Sequence, residues 1–234
     1  MTQPYPNQVW IPPVSTRPPL GTDFFRLARV VQGLLVATAL MHVAMIIADW
    51  YYLDLAQRLI DTPRRVPFED LQRFDTVTLW TLVVYLTLLL LTGITFICWL
   101  FQAHRSDRTD PVALQHESYW AVIGWFIPIM GLFRPYQMVD DVRRGADRFG
   151  VTPVAQPYWW AAFLLGAFME QVSGWLWPAG DEPGLRAFGE KLQSAAWAEL
   201  SSNVVNIVAA VLAILVVRDL TATLRNAPPG GRVD

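Results

Sequence analysis

Charge, cysteine and lysine are all scarce in this chain. Asp, Glu, Lys and Arg make up 16% of its 234 residues, where a soluble domain carries about 25%. Cys98 is the single cysteine and lies in an apolar run, which excludes a disulfide framework and a thiolate metal site. Lys191 is the sole lysine, and a net charge of −2 with no long basic patch gives no footing for a nucleic-acid partner. Neither G-x-S-x-G nor H-E-x-x-H occurs, and no aspartate pair stands out within the apolar runs. No catalytic residue and no cofactor are assigned, and the expectation is a protein that is not an enzyme.

Apolar sequence is abundant, at 53% hydrophobic and 13% aromatic residues. Residues 30–48, 76–103, 149–169 and 200–217 hold no Asp, Glu, Lys or Arg. At about 1.5 Å per helical residue, each nears or exceeds the roughly 30 Å of a bilayer's hydrocarbon core. The fold class expected is therefore an all-α, polytopic helical membrane protein. Four transmembrane helices are placed at about 27–49, 76–101, 158–177 and 197–217, within one membrane domain over 23–226. Trp50, Tyr51 and Tyr52 close the first span, and Tyr158, Trp159, Trp160, Trp175 and Trp177 bracket the third, as aromatic belts do. Between the first two spans, a polar stretch is broken at Thr62-Pro63 and Val66-Pro67. The Pro-rich arm 1–22 and the tail 227–234 are expected to be disordered. Polar residues 1–26 precede the first apolar run, so that span is expected to insert as an uncleaved anchor.

Two further elements lie between spans two and three. Residues 118–133 form a short apolar stretch interrupted by Gly124, Pro128 and Gly131, which reads as a re-entrant or interfacial hook. Behind it, Val139, Val142, Ala146 and Phe149 recur at helical spacing among six charged residues. An amphipathic surface helix is expected there, over 136–149. If the hook does not cross, 12 basic residues fall on one side and 6 on the other; if it crosses, the division is 11 to 7. The positive-inside rule thus favours four crossings, with both termini on the cytoplasmic face of a cell membrane.

The stretch from Trp99 to Arg144 resembles a family of bacterial membrane proteins, mostly actinobacterial, the domain-of-unknown-function family numbered 4328. The resemblance rests on Trp120-Ala121, Gly124-Trp125-Phe126, Pro128, Leu132, Arg134-Pro135 and Gln137, with Trp99 and Arg105 ahead of them. The family pattern often carries Asn where this chain has Gly131. The resemblance implies a multi-span membrane domain and no particular activity, substrate or cofactor.

Glu170, near the middle of span three, is the costliest residue to bury in lipid, at roughly 2.5–3.5 kcal/mol. Counted from the cytoplasmic ends of their spans, Glu170, His42, Asn203 and Asn206 all lie about 16–21 Å deep. This band serves either as a polar relay in which His42 and Glu170 share a proton, or as interhelical hydrogen bonding at about 0.6–2 kcal/mol per bond. Trp120 and Trp125 read as interfacial anchors, and Arg134 as a lipid-phosphate ligand, a cap of the hook or a stop charge. Arg143 and Arg144 are candidates for anionic lipid. His104, His116 and the acids around them match no metal-ligand spacing. Two functions compete: a non-catalytic module whose cytoplasmic hook engages membrane lipids or a membrane-protein partner, and a small homo-oligomeric transporter or channel built on the Glu170 band.

Overall fold

The structure, a computed structural model, describes residues 17–147, 150 and 152–229. It comprises α1 (Thr22–Asp61), α2 (Phe68–Arg105), α3 (Trp120–Ile123), α4 (Arg134–Ala146), α5 (Ala155–Leu176) and α6 (Leu185–Asn226), with no strand among the described residues. Prolines set the first boundaries. Pro63 lacks an amide hydrogen and disfavours helix at Thr62, so α1 stops at Asp61. A single 3-10 turn, Pro63–Arg65, reverses the chain, and Pro67 stands at the start of α2.

The four long helices run alternately up and down. Thr38 meets Thr92 and Tyr52 meets Thr78 across α1 and α2. His42 meets Asn203, and Trp50 meets Trp197, across α1 and α6. Ser202 reaches the carbonyl of Gly166, and Ser173 that of Ala195, across α6 and α5. The ring closes less tightly between α2 and α5, where Phe96, Tyr85 and Phe74 extend their side chains to Trp159, Glu170 and Trp177.

Among the described residues, α1, α2 and α6 are long and apolar enough to cross a membrane; α5, at 22 residues and carrying Glu170, is not in that set. Inside the most apolar 18-residue stretch of each, burial is 39% for α6, 22% for α1 and 6% for α2. The sixth helix is the hub, and α2 is the outlying wall.

The helices outrun their expected spans. The stretches 53–75 and 178–198 are mostly helical, because α1 and α2 continue into the first for about 13 and 12 Å and α6 into the second for about 21 Å. Tyr52, Leu55, Ala56 and Leu59 recur at helical spacing through the charges, and they pack with Phe74, Leu192 and Ala196 into a second core. Gly189 permits the approach: a Cβ there would stand 2.9 Å from Leu59 Cβ and 3.0 Å from the Ala56 carbonyl oxygen. Arg58 bridges Asp54 at 3.0 Å and Asp70 at 2.6 Å, tying the α1–α2 turn.

The α5–α6 link turns through Gly180 and Gly184, both at positive φ. Glu182 holds it, accepting from Lys191 Nζ at 2.8 Å and from the amides of Ala179 and Gly180 at 3.0 and 2.9 Å. The lysine contact, helped by those amides, pulls the Glu182 carboxyl down to about 2. A depressed carboxyl stabilises the fold fully above its unfolded value of about 4.3, and that stability is lost as pH falls through about 2. An NMR titration of the Glu182 carboxyl carbon is expected to find its midpoint near pH 2. Lys191→Met should move the midpoint up; an unmoved midpoint would remove the lysine from the account.

Residues 1–16 and 230–234 of the expected arm and tail lie outside the described residues. The adjoining residues are seated rather than loose. Arg17 donates to the carbonyls of His104 and Thr109, and Pro18 accepts from the Asp107 amide. Ala227 is buried and its carbonyl accepts from Arg108.

Candidate functional site

Two assemblies gather the residues singled out in the sequence. The first is the hook. It is no spanning helix: the four residues of α3, a run of turns and a 3-10 turn at Met130–Leu132 fold it into a hairpin. Its two limbs touch at Gly124, where a Cβ would lie 2.6 Å from the Trp120 carbonyl oxygen and 2.8 Å from Arg134 Cβ. Trp125 is not a surface anchor. Its ring wedges between α2 and α5, 5.9 Å from Phe96 and about as far from Trp160 and Phe163. Trp160 Nε1 donates to the Leu132 carbonyl at 2.9 Å. Pro128 lies at the exposed tip, flanked by Phe126 at 74% and Ile129 at 70% exposure.

Arg134 opens α4 instead of merely closing the hook, and Pro135 follows in the first turn, where a missing amide hydrogen is harmless. The Arg134 guanidinium lies 4.7 Å over the Trp120 ring, which staples hook to helix, and it is held there by donating to Gln137 Oε1 of its own helix at 2.9 Å. The helix itself, expected over 136–149, ends at Ala146; Arg148 and Phe149 fall outside the described residues. Its apolar side chains Met138, Val139, Val142 and Ala146 are buried in the bundle's main core, not turned to lipid.

The charges of α4 are also engaged internally. Asp141, fully buried, accepts from the His116 amide at 3.0 Å, His116 Nδ1 at 2.8 Å and Arg144 at 3.2 Å. Arg143, 5% exposed, donates to Gln156 Oε1 at 2.8 Å and to Asp219 at 2.6 Å. Arg143 is therefore a bolt between α4, α5 and α6, not the lipid contact its sequence position suggested. His104 pairs with Ser118 at 3.0 Å, and no cluster fit for a metal ion exists among the described residues.

The second assembly is polar and lies in the middle of the bundle. His42 and Asn206 border a cavity of about 340 Å³, Asn203 borders an adjoining one of about 370 Å³, and Glu170 borders both. His42 and Glu170 are not bonded to each other. Tyr85 donates to Glu170 Oε1 at 2.6 Å, and its ring meets the His42 ring edge-on at 5.5 Å. His42 Nδ1 pairs with Asn203 Oδ1 at 2.8 Å, while Asn203 Nδ2 donates to Asp49 at 2.9 Å. An amide oxygen only accepts, so Nδ1 carries the imidazole hydrogen. Asn206 donates to Ser202 and packs its Oδ1 against Gly166, whose lack of a side chain leaves room for it. The Tyr85–Glu170 pair borders both chambers. The one toward the hook has aromatic walls, and the other holds Glu199, Ser202 and Asn203.

The sequence pattern of a family described as a domain of unknown function, DUF4328, matches residues 62–222. The chain belongs to this family. No curated protein and no solved structure matches it. The DUF4328 match starts in the turn after α1 and runs nearly to the end of α6. It takes in the hook, α4, Tyr85, Glu170, Glu199 and both asparagines, and leaves His42 and Asp49 on the preceding helix.

Asp49, Tyr85 and Glu199 escaped the sequence reading. Asp49 and Glu199 stand at span edges and resemble boundary charges. Their signal was spacing: Asp49 follows His42 by seven residues, and Glu199, Asn203 and Asn206 are spaced by four and three, each set on one helical face. Tyr85 is an uncharged residue in an apolar run, and only the fold shows that its hydroxyl meets Glu170.

Proposed function

We propose that this DUF4328 protein is a four-crossing, non-catalytic membrane module whose hook engages lipid, or a partner within the membrane, at the cytoplasmic interface. The observation that carries this is the hook's construction. Trp125, Trp160 and Arg134 fasten it from behind, while Phe126 and Ile129 stand bare at a tip that has nothing to fold against. Each such side chain costs roughly 1.5–3 kcal/mol to hold in water. A rigid apolar tip belongs in an interface.

Four crossings are supported by register. The α5 helix covers about 33 Å and runs antiparallel to α6 through the apolar middle of the bundle. The hook and α4 share one end of the bundle with the start of α1 and the end of α6. The basic residues concentrate at that end, which makes it cytoplasmic by the positive-inside rule. The Leu59 core and its ion pairs then project from the opposite face.

The test uses two single-cysteine variants in a Cys98→Ala background. A fluorophore on Phe126→Cys is expected to be quenched by lipids brominated high on their acyl chains. A cysteine at Asp147 is expected to react with an impermeant thiol reagent only after lysis. Water-like, unquenched emission at 126, or labelling of 147 in intact cells, would overturn the reading. A second reading, as a small oligomeric transporter or channel, draws on the two chambers that meet at Tyr85 and Glu170. Proteoliposome flux that depends on pH and on Glu170 would select it.

A further inference from the structure

We propose that the paired chambers between α2 and α5 form a binding site for a lipophilic organic cation, an onium or ammonium centre on an apolar body. The site is separate from the hook's tip, and four observations converge on it.

The first is the sign of the charge. Glu170 and Glu199 border the chambers and Asp49 lies one bond behind, through Asn203; among the described residues the only basic side chain on either wall is His42, and no Lys or Arg lines them. Carboxyl groups placed in the apolar middle of a bundle are expensive and call for a positive partner. The second concerns the member of that cluster on α1. Asp49 is fully buried, and its Oδ1 has no hydrogen-bond partner among the described residues. A buried carboxyl oxygen without a partner is a standing electrostatic deficit on the same side of the site.

The third is the wall chemistry. Phe96, Trp125, Trp159 and Phe163 line the chamber toward the hook, with Tyr85 at its floor. Aromatic faces attract a cation and give apolar contact to the body that carries it. The chamber's volume of about 340 Å³ falls in the range of small-molecule sites. Aromatic and aliphatic walls suit a cation that brings its own apolar surface, and no cluster fit for a metal ion exists among the described residues.

The fourth is access. The wall formed by α2 is the least buried of the long helices and meets α5 through side chains. A hydrophobic solute dissolved in the bilayer can enter between them without passing through water. In the arrangement proposed, the cationic centre sits against Glu170 Oε2, because Tyr85 already donates to Oε1. The apolar body extends toward Trp125.

The probe is tetraphenylphosphonium, with tetraphenylborate as its counterpart of nearly identical shape and opposite charge. Equilibrium dialysis of the full chain in lipid nanodiscs, corrected with empty nanodiscs, is expected to give one saturable phosphonium site per chain and none for the borate. Glu170→Gln should weaken phosphonium binding at least tenfold, and Glu117→Gln, in the polar loop, should leave it unchanged. If Glu170→Gln does not fold, the unmodified protein still decides. Dicyclohexylcarbodiimide should label Glu170, and saturating phosphonium should protect it. Equal uptake of both ions, unsaturable uptake, undiminished binding in Glu170→Gln, or labelling without protection would each overturn the proposal. Any of these results would leave the hook's reading intact, since that rests on the depth of residue 126.

Discussion

Asp141→Ala is expected to destabilise the protein by about 3–5 kcal/mol, the usual penalty for removing one member of a buried charged network. Asp141 is fully buried and serves three donors: the backbone and ring nitrogens of His116 and the guanidinium of Arg144. Its removal leaves the His116 amide unpaired and cuts one of the ties between α4 and the segment joining α2 to α3, the bond from the Asp110 amide to the Gly145 carbonyl remaining. The neighbouring Asp140 is the internal comparison. It is partly exposed and pairs with Arg144 at 2.8 Å, so Asp140→Ala should cost no more than about 1 kcal/mol. Reversible unfolding in mixed micelles measures both. Equal losses for the two variants would show that the His116 contacts contribute nothing.

That contrast also marks where sequence reading stopped. The apolar runs, the proline breaks and the short hook were legible, because each rests on local chemistry: bilayer length, the missing amide hydrogen of proline, and glycine with proline in a run too short to cross. The faces of α4 were not. A helix with Val139, Val142 and Ala146 on one side and charges on the other fits a membrane surface as well as the end of a bundle. Only tertiary contact shows that Arg143 finds Gln156 and Asp219, 13 and 76 residues further along the chain.

The polar centre divides in the same way. Depth counting along separate spans brought His42, Glu170, Asn203 and Asn206 to one level, because rise per residue is fixed. Rotation about each helix axis is set by packing, and it gave His42 to Asn203 and Glu170 to Tyr85. Charged residues at span ends were read as boundaries, which hid Asp49 and Glu199. The same habit hid the Leu55–Leu59 core, whose helical period continues unbroken through Asp54 and Arg58.

Gly124→Val is expected to spring the hook. A Cβ at 124 would meet the Trp120 carbonyl oxygen at 2.6 Å and Arg134 Cβ at 2.8 Å, one a backbone atom and the other at the root of a side chain. Neither neighbour can yield by rotating a flexible end: relieving the Trp120 contact must open the turn of Gly124's own limb, and relieving the Arg134 contact must part that limb from α4. Overpacking of this kind costs about 1–3 kcal/mol. The parting should also withdraw Trp125 from Phe96 and Phe163 and break the bond from Trp160 to the Leu132 carbonyl. Gly131 lies on the facing limb, but a Cβ there would meet only the carbonyl oxygens of Gly124 and Trp125, both at an ordinary 3.6 Å. That room admits a side chain, and Gly131→Asn should fold as the parent does. The measurement is tryptophan emission of the full chain in nanodiscs, read with its unfolding midpoint. Gly124→Val should shift the emission to the red and lower the midpoint, while Gly131→Asn should do neither. Matching spectra for the two variants would mean that the limbs are not clasped at Gly124 and that Trp125 keeps its place without them.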